Sequence, residues 1–142
     1  MLKSLHREVF YPKFEGASGT LELFPPMEAS LGISHSSFIP YDKRGRGLGT
    51  KAHEHRLRYA KYIGFKYLIC TVNVKNEAQK RIMEKFHWQR LTWFETYCSA
   101  VILYGRCLND IEPLSALEVK DQQLNLKEKE EYGTLTDRKD KR

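Results

Sequence analysis

The chain has 142 residues, 41% hydrophobic and 30% charged, with a net charge of +6. That length supports one domain around one core, and no apolar run approaches the roughly 18 residues that span a bilayer. The N-terminal Met1-Leu2-Lys3-Ser4-Leu5-His6-Arg7 lacks the apolar centre of a secretory leader. Three cysteines (Cys70, Cys98, Cys107) are odd in number and show no metal-ligand spacing. They are expected as reduced, mostly buried thiols of a cytoplasmic protein, with no metal. Lys and Arg outnumber Asp and Glu by 17 to 9 in residues 1–108, but are outnumbered 7 to 9 in residues 109–142. The basic part is therefore the globular part, and an acidic partner fits it: coenzyme phosphates, nucleic acid or an acidic protein face.

In chain order, residues 8–11 form a short β-prone run stopped at Pro12. Gly16-Ala17-Ser18-Gly19 reads as a turn, residues 20–24 as a strand, and Pro25-Pro26 ends it. Residues 31–39 form a second extended run whose small residues suggest close approach by something else. Residues 47–63 read as a helix with Leu48, Ala52, Tyr59, Ala60 and Ile63 on one stripe, closed by Gly64. Its outer face carries Lys51, His53, Glu54, Arg58 and Lys61, with Arg56 near the edge. Residues 65–72 read as a strand and 76–86 as a helix with Ala78, Ile82, Met83 and Phe86 inward. Residues 89–97 and 100–107 read as a hairpin reversing at Cys98-Ser99. From Asn109 onward charges and amides dominate. Leu117, Leu124 and Leu126 support at most a weak helix, and residues 133–142 read as disordered.

The most informative stretch is Phe38-Ile39-Pro40-Tyr41-Asp42-Lys43-Arg44-Gly45-Arg46-Gly47-Leu48-Gly49-Thr50. It joins an extended run to a helix, whose first turn offers unpaired amides and the positive end of a dipole. Glycines admit a phosphate close to that backbone, and arginine forks suit its oxygens. Neither G-x-x-x-x-G-K-[ST] nor G-x-G-x-x-G fits. The readings left open are a phosphate-binding turn for a nucleotide-bearing cofactor and a plain tight turn.

The order Arg44, Gly45, Arg46, Gly47, Leu48, Gly49 resembles the [RQ]-x-x-G-x-[GA] loop of the GNAT superfamily of N-acetyltransferases. Downstream, Val72 closes a strand, Asn76 opens a helix, Ile82 and Lys85 fall at the family's usual Leu and Lys, and Trp88 at its aromatic. The resemblance covers roughly residues 30–107 and implies an α/β (α+β) fold: a mixed central sheet, helices on both faces, and a closing antiparallel hairpin. It implies an acetyltransferase-like domain over residues 1–108 and a charged, partly disordered tail over 109–142. It also implies direct acetyl transfer from acetyl-coenzyme A (acetyl-CoA) to an amine. Phe38 and Ile39 would pair with the pantetheine arm, amides of Gly45, Arg46, Gly47, Leu48, Gly49 and Thr50 would hold the pyrophosphate with Arg44, and Asn76 would bond the cofactor.

Several positions depart from that pattern. Met83 stands where the family often has a proton-donating Tyr, His87 where it has Gly, and Ser34 near the place of a Glu base in histone-type members. Tyr41, with Pro40 one residue earlier, stands where the family often has Pro. The segment before residue 30 is short for the strand and two helices expected there, so the acceptor pocket is reduced, open or completed by another chain. His35 is the best-placed base, because its ordinary pKa suits work near neutrality. Asp42 and Glu28 are weaker ones, and His87 or Tyr97 are stand-ins for the acid. His53 and His55 read as solvated helix residues, two apart and facing different ways. Trp88, Trp93, Phe94 and Tyr97 read as core or dimer surface, so a homo-oligomer through the hairpin is a further expectation. The acceptor is expected to be an amine-bearing small molecule or protein. Two other functions stand beside acetyl transfer: a non-catalytic cofactor-binding or structural protein, and a nucleic-acid binder using Lys51, Arg56, Arg58 and Lys61.

Overall fold

A computed structural model describes residues 9–23 and 30–120. Two short strands, β1 (Val9–Phe10) and β2 (Lys13–Phe14), lie antiparallel to β3 (Ala17–Leu23). β3 runs antiparallel to β4 (Leu31–Phe38), and β4 runs parallel to β5 (Tyr67–Asn73). Helix α1 (Leu48–Ile63) makes the crossover between them, after a 3-10 turn at Tyr41–Lys43. Helix α2 (Glu77–Lys85) leads from β5 to β6 (Gln89–Glu95), which turns into β7 (Ala100–Cys107). The result is one mixed sheet of seven strands in the order β1-β3-β4-β5-β7-β6, with β2 also on β3.

The first reversal lies earlier than the glycine cluster suggests. Glu15 (φ 48°) and Gly16 (φ 89°) make the turn, and Ala17-Ser18-Gly19 is already strand. Gly19 serves packing: a Cβ there would fall 2.5 Å from the Arg56 guanidinium. A glycine in a strand often marks such an approach.

Alternation along the strands sends Leu21, Leu68, Val72, Ile102 and Tyr104 into one core. Leu57 and Ala60 of α1, Met83 of α2 and Trp88 fill the same core, so both helices bury their inward sides together. Each large side chain buried there contributes about 1.5–3 kcal/mol. α1 ends at Gly64 (φ 107°), whose amide bonds the Ala60 and Lys61 carbonyls. α2 begins at Asn76, whose side chain accepts the Gln79 amide at 3.1 Å.

The described part of the polar segment after Leu108 lies against α1. Leu114 and Val119 are buried, and the Leu114 amide donates to the Arg58 carbonyl at 3.2 Å. Arg58 in turn donates to the Glu112 and Pro113 carbonyls and to Glu118. Ser115 and Glu118 cap each other's amides, the reciprocal pair that starts a helix, and residues 116–120 are helical. Leu124, Leu126 and residues 133–142 lie outside the described residues.

Candidate active site

The glycine loop is built as its sequence requires. Arg44 folds back: its Nε donates to the Ile39 carbonyl at 3.0 Å, and its guanidinium sits over the Phe38 and Tyr41 rings. Gly45 (φ 78°) and Gly47 (φ 77°) take left-handed conformations, and a Cβ on either would meet nothing within 4 Å. Gly47 is the N-cap of α1 and supplies no side-chain cap. The first helical bond is the Lys51 amide to the Gly47 carbonyl at 3.2 Å. Among the described residues, no amide from 45 to 50 donates to a protein acceptor. No acidic residue occupies the first turn, so the positive end of the dipole is uncompensated there. Arg46 and Lys51 are exposed beside it.

This loop opens onto a parting of the sheet. β4 and β5 pair at Leu31↔Tyr67, Gly32↔Leu68 and Ile33↔Ile69, and no further. β4 nevertheless continues to Phe38 beside β3, and β5 to Asn73 beside β7. In the same stretch the register with β3 shifts: between Thr20↔His35 and Ser18↔Phe38, β4 carries two residues against the single Gly19. Such a bulge bends its strand. Beyond Ile33, β4 has thus left β5, and the slot between them meets the loop at its outer end. Phe38, 53% exposed, and Ile39 form that corner. Asn76 opens α2 just past β5, with its carbonyl oxygen occupied by the Gln79 amide.

His35 lies two residues past the last paired position. It is on the face away from the core, with Nε2 3.2 Å from Oε2 of Glu22. Glu22 gave no signal in the sequence, because the β3–β4 register that brings it there cannot be read from either strand alone. Ser34, at the place of a family Glu, is 2% exposed and faces the helices. Met83 is fully buried and receives the Gln79 amide on sulfur, so it is a core residue. His87 and Tyr97 flank β6, one strand removed from β5, and Asp42 is exposed in the 3-10 turn. Glu28 lies outside the described residues.

Two helix residues differ from their expected solvated positions. His53 is 3% exposed and its Nε2 accepts the Trp88 indole N–H at 2.9 Å. Burial, then the nearby Arg56 and Arg106 charges, push its pKa down to about 3. The Phe86 and Trp88 rings pack on it, widening the inward stripe of α1. Arg56 is also buried, at 6% exposure. With Arg58 held by Glu118 and Lys61 donating to the Leu108 carbonyl, no free basic stripe runs along α1. His55 is half-buried against Phe14.

The cysteines are free. Burial pushes Cys70 up to about 11, partly offset by Arg56. Cys98 is exposed in the hairpin turn rather than buried, since a tight reversal projects its residues from the sheet. Trp88 is buried, whereas Trp93, Phe94 and Tyr97 are exposed. Among the described residues, no three His, Cys, Asp or Glu converge on a metal position, and no helix is long and apolar enough to cross a membrane. A shallow, open groove lies between β2, β3 and α1, lined by Lys13, Phe14, His55 and Arg56 among others.

No family model matches the chain, and no curated protein matches it by sequence. Solved structures do. A spermidine N-acetyltransferase chimera from Vibrio cholerae superposes with a TM-score of 0.62 at 13% identity, covering 74% of this chain and 69% of that one. The ribosomal-protein-S18-alanine N-acetyltransferase of Escherichia coli gives 0.57 at 16% identity, covering 78% and 72%. The ribosomal-protein-S5-alanine acetyltransferase of Vibrio fischeri gives 0.60 at 12% identity, covering 68% and 56%, so this chain spans little more than half of that protein.

The chain has the GNAT fold.

The mixed sheet, parted central strands and loop-to-helix junction of that fold are all present. The residues also fit the coenzyme of GNAT enzymes. Among the described residues, six consecutive amides lack protein acceptors, two left-handed glycines face open space, and a strand that has parted from β5 leads inward from them.

Proposed function

We propose that this GNAT-fold chain is an N-acyltransferase of the acetyltransferase type, drawing its acyl group from a coenzyme A thioester such as acetyl-CoA and passing it directly to an amine. The observation that carries this reading is the junction of loop and slot: amides 45–50 at the mouth, and β4 parted from β5 beyond Ile33 along one wall. Bound there, the coenzyme supplies an activated acyl carbon. The chain's part is positional and electrostatic. The α1 N-terminus with Arg44 and Arg46 holds the pyrophosphate. Residues Phe38 and Ile39 align the arm like an added strand, and Asn76 bonds it from α2. An amide on the β4 edge that has left β5 receives the charge that develops on the acyl oxygen. His35, held by Glu22, takes the proton from the attacking amine. The acceptor is an amine on a small molecule or a protein.

A His35→Gln enzyme should lose about 10²-fold in kcat while its affinity for coenzyme A stays unchanged. An unaltered kcat on an active acceptor would remove His35 from the mechanism. A second reading is favoured by one observation: Met83, buried under Gln79, leaves the slot without the family's proton donor. In that reading the chain binds the coenzyme and transfers nothing. Coenzyme binding without thiol release across a broad amine panel would select it. The proposal also places a second copy at the hairpin, where β6 is outermost and exposed along its whole length.

A further inference from the structure

Among the described residues three arginines are partly or fully buried, and two of them meet carboxylates. Arg106 is held by Asp110 through both terminal nitrogens, at 2.6 and 3.0 Å. Arg58 reaches both oxygens of Glu118, at 3.3 and 3.2 Å. Arg56 is the third, 6% exposed, and among the described residues it has no carboxylate. Its Nη1 donates to Ser37 Oγ at 3.2 Å and its Nη2 to the Ser18 carbonyl at 3.4 Å, both long and both to neutral acceptors. A buried cation with neutral partners is a costly arrangement. The fold nevertheless makes room for it by keeping Gly19 free of a side chain.

Its position explains what that room is for. Ser37 stands in the part of β4 that has left β5. Cys70, the first residue of β5 beyond the last paired position, lies within reach of the Arg56 charge. Arg56, Ser37 and Cys70 thus stand together where β4 and β5 part, beside the slot that holds the thioester in the proposed function. An acetyl methyl gains nothing from two polar side chains and a cation. A carboxylate would gain two charge-assisted hydrogen bonds in the forked geometry that arginine offers.

On the proposed coenzyme reading, we infer that the acyl group this chain transfers ends in a carboxylate, as in a malonyl or succinyl half-thioester, and that Arg56 receives that carboxylate beside Ser37. The transfer balances as before. The amine nitrogen forms a bond to the acyl carbon, the carbon–sulfur bond breaks, the nitrogen's proton leaves to the base, and the thiolate is protonated from solvent. The carboxylate changes no bonds and serves recognition. The acceptor exchanges a cationic amine for an amide bearing a negative charge.

Calorimetric titration of the full chain with free coenzyme A, acetyl-CoA and succinyl-CoA tests this. Succinyl-CoA should bind at least about tenfold more tightly than acetyl-CoA. Arg56→Met should erase that preference and leave affinity for free coenzyme A in place. The native-chain comparison holds even if the variant fails to fold. Equal affinity of the native chain for the two thioesters overturns the inference while the coenzyme reading stands; that is also the outcome if Arg56 instead meets a carboxylate on the acceptor. A chain that binds none of the three overturns both.

Discussion

His53 shows how a single side chain is recast by its neighbours. Its spacing on α1 marks it as solvated, yet Phe86 and Trp88 enclose it and Trp88 donates to its Nε2. With a pKa of about 3 in the fold and 6.5 ordinarily, it stays neutral when folded. Below pH 6.5 the unfolded chain takes up a proton that the folded chain refuses, so stability falls as the pH drops toward 3. The slope should approach about 1.4 kcal/mol per pH unit. Urea unfolding across that window should show it, and His53→Gln should flatten it; an identical slope in the variant would contradict the assignment. His87 is the converse case. It holds a left-handed φ of 62° at the position where GNAT sequences carry glycine. His87→Gly should raise stability by about 1 kcal/mol, read as a higher urea midpoint; a lower midpoint would show that the side chain contributes more than its strain. Of the site residues, the glycines and Arg44 were legible because backbone and charge requirements are local. Glu22 and Arg56 were not, because a strand register and a three-element packing decide them.

At the scale of elements, periodicity located β3 to β7 and both helices to within a few residues. It missed β2 and the Glu15-Gly16 turn, where a two-residue strand has no period to read. The segment after Leu108 reads as polar from composition, yet Leu114 and Val119 dock it on α1. Two apolar residues among charges carry no periodic signal. The hairpin strand β6 is the exposed edge of the sheet, with Leu91, Trp93 and Phe94 at 50%, 63% and 43% exposure. An apolar edge of this kind is a template for pairing. Sedimentation equilibrium of the full chain should give a dimer that Trp93→Lys dissociates. A monomeric native chain at high micromolar concentration would contradict pairing at β6.

For the whole molecule, the alternation of strands and helices defines a mixed α/β sheet, and the crossover through α1 joins β4 and β5 as parallel neighbours. The insertion of β7 between β5 and β6 is a tertiary choice that no local pattern dictates. The parting of β4 from β5 accompanies one extra residue opposite Gly19, also invisible locally. Yet that parting gives the basic glycine turn a slot to open onto, and the proposed coenzyme site rests on that junction. Hydrogen–deuterium exchange of the full chain with and without acetyl-CoA tests this most directly. The account predicts new protection confined to amides 45–50 and the stretch 34–38 of β4 that has left β5. Binding that leaves those amides unprotected, or protects another surface in their place, would contradict it.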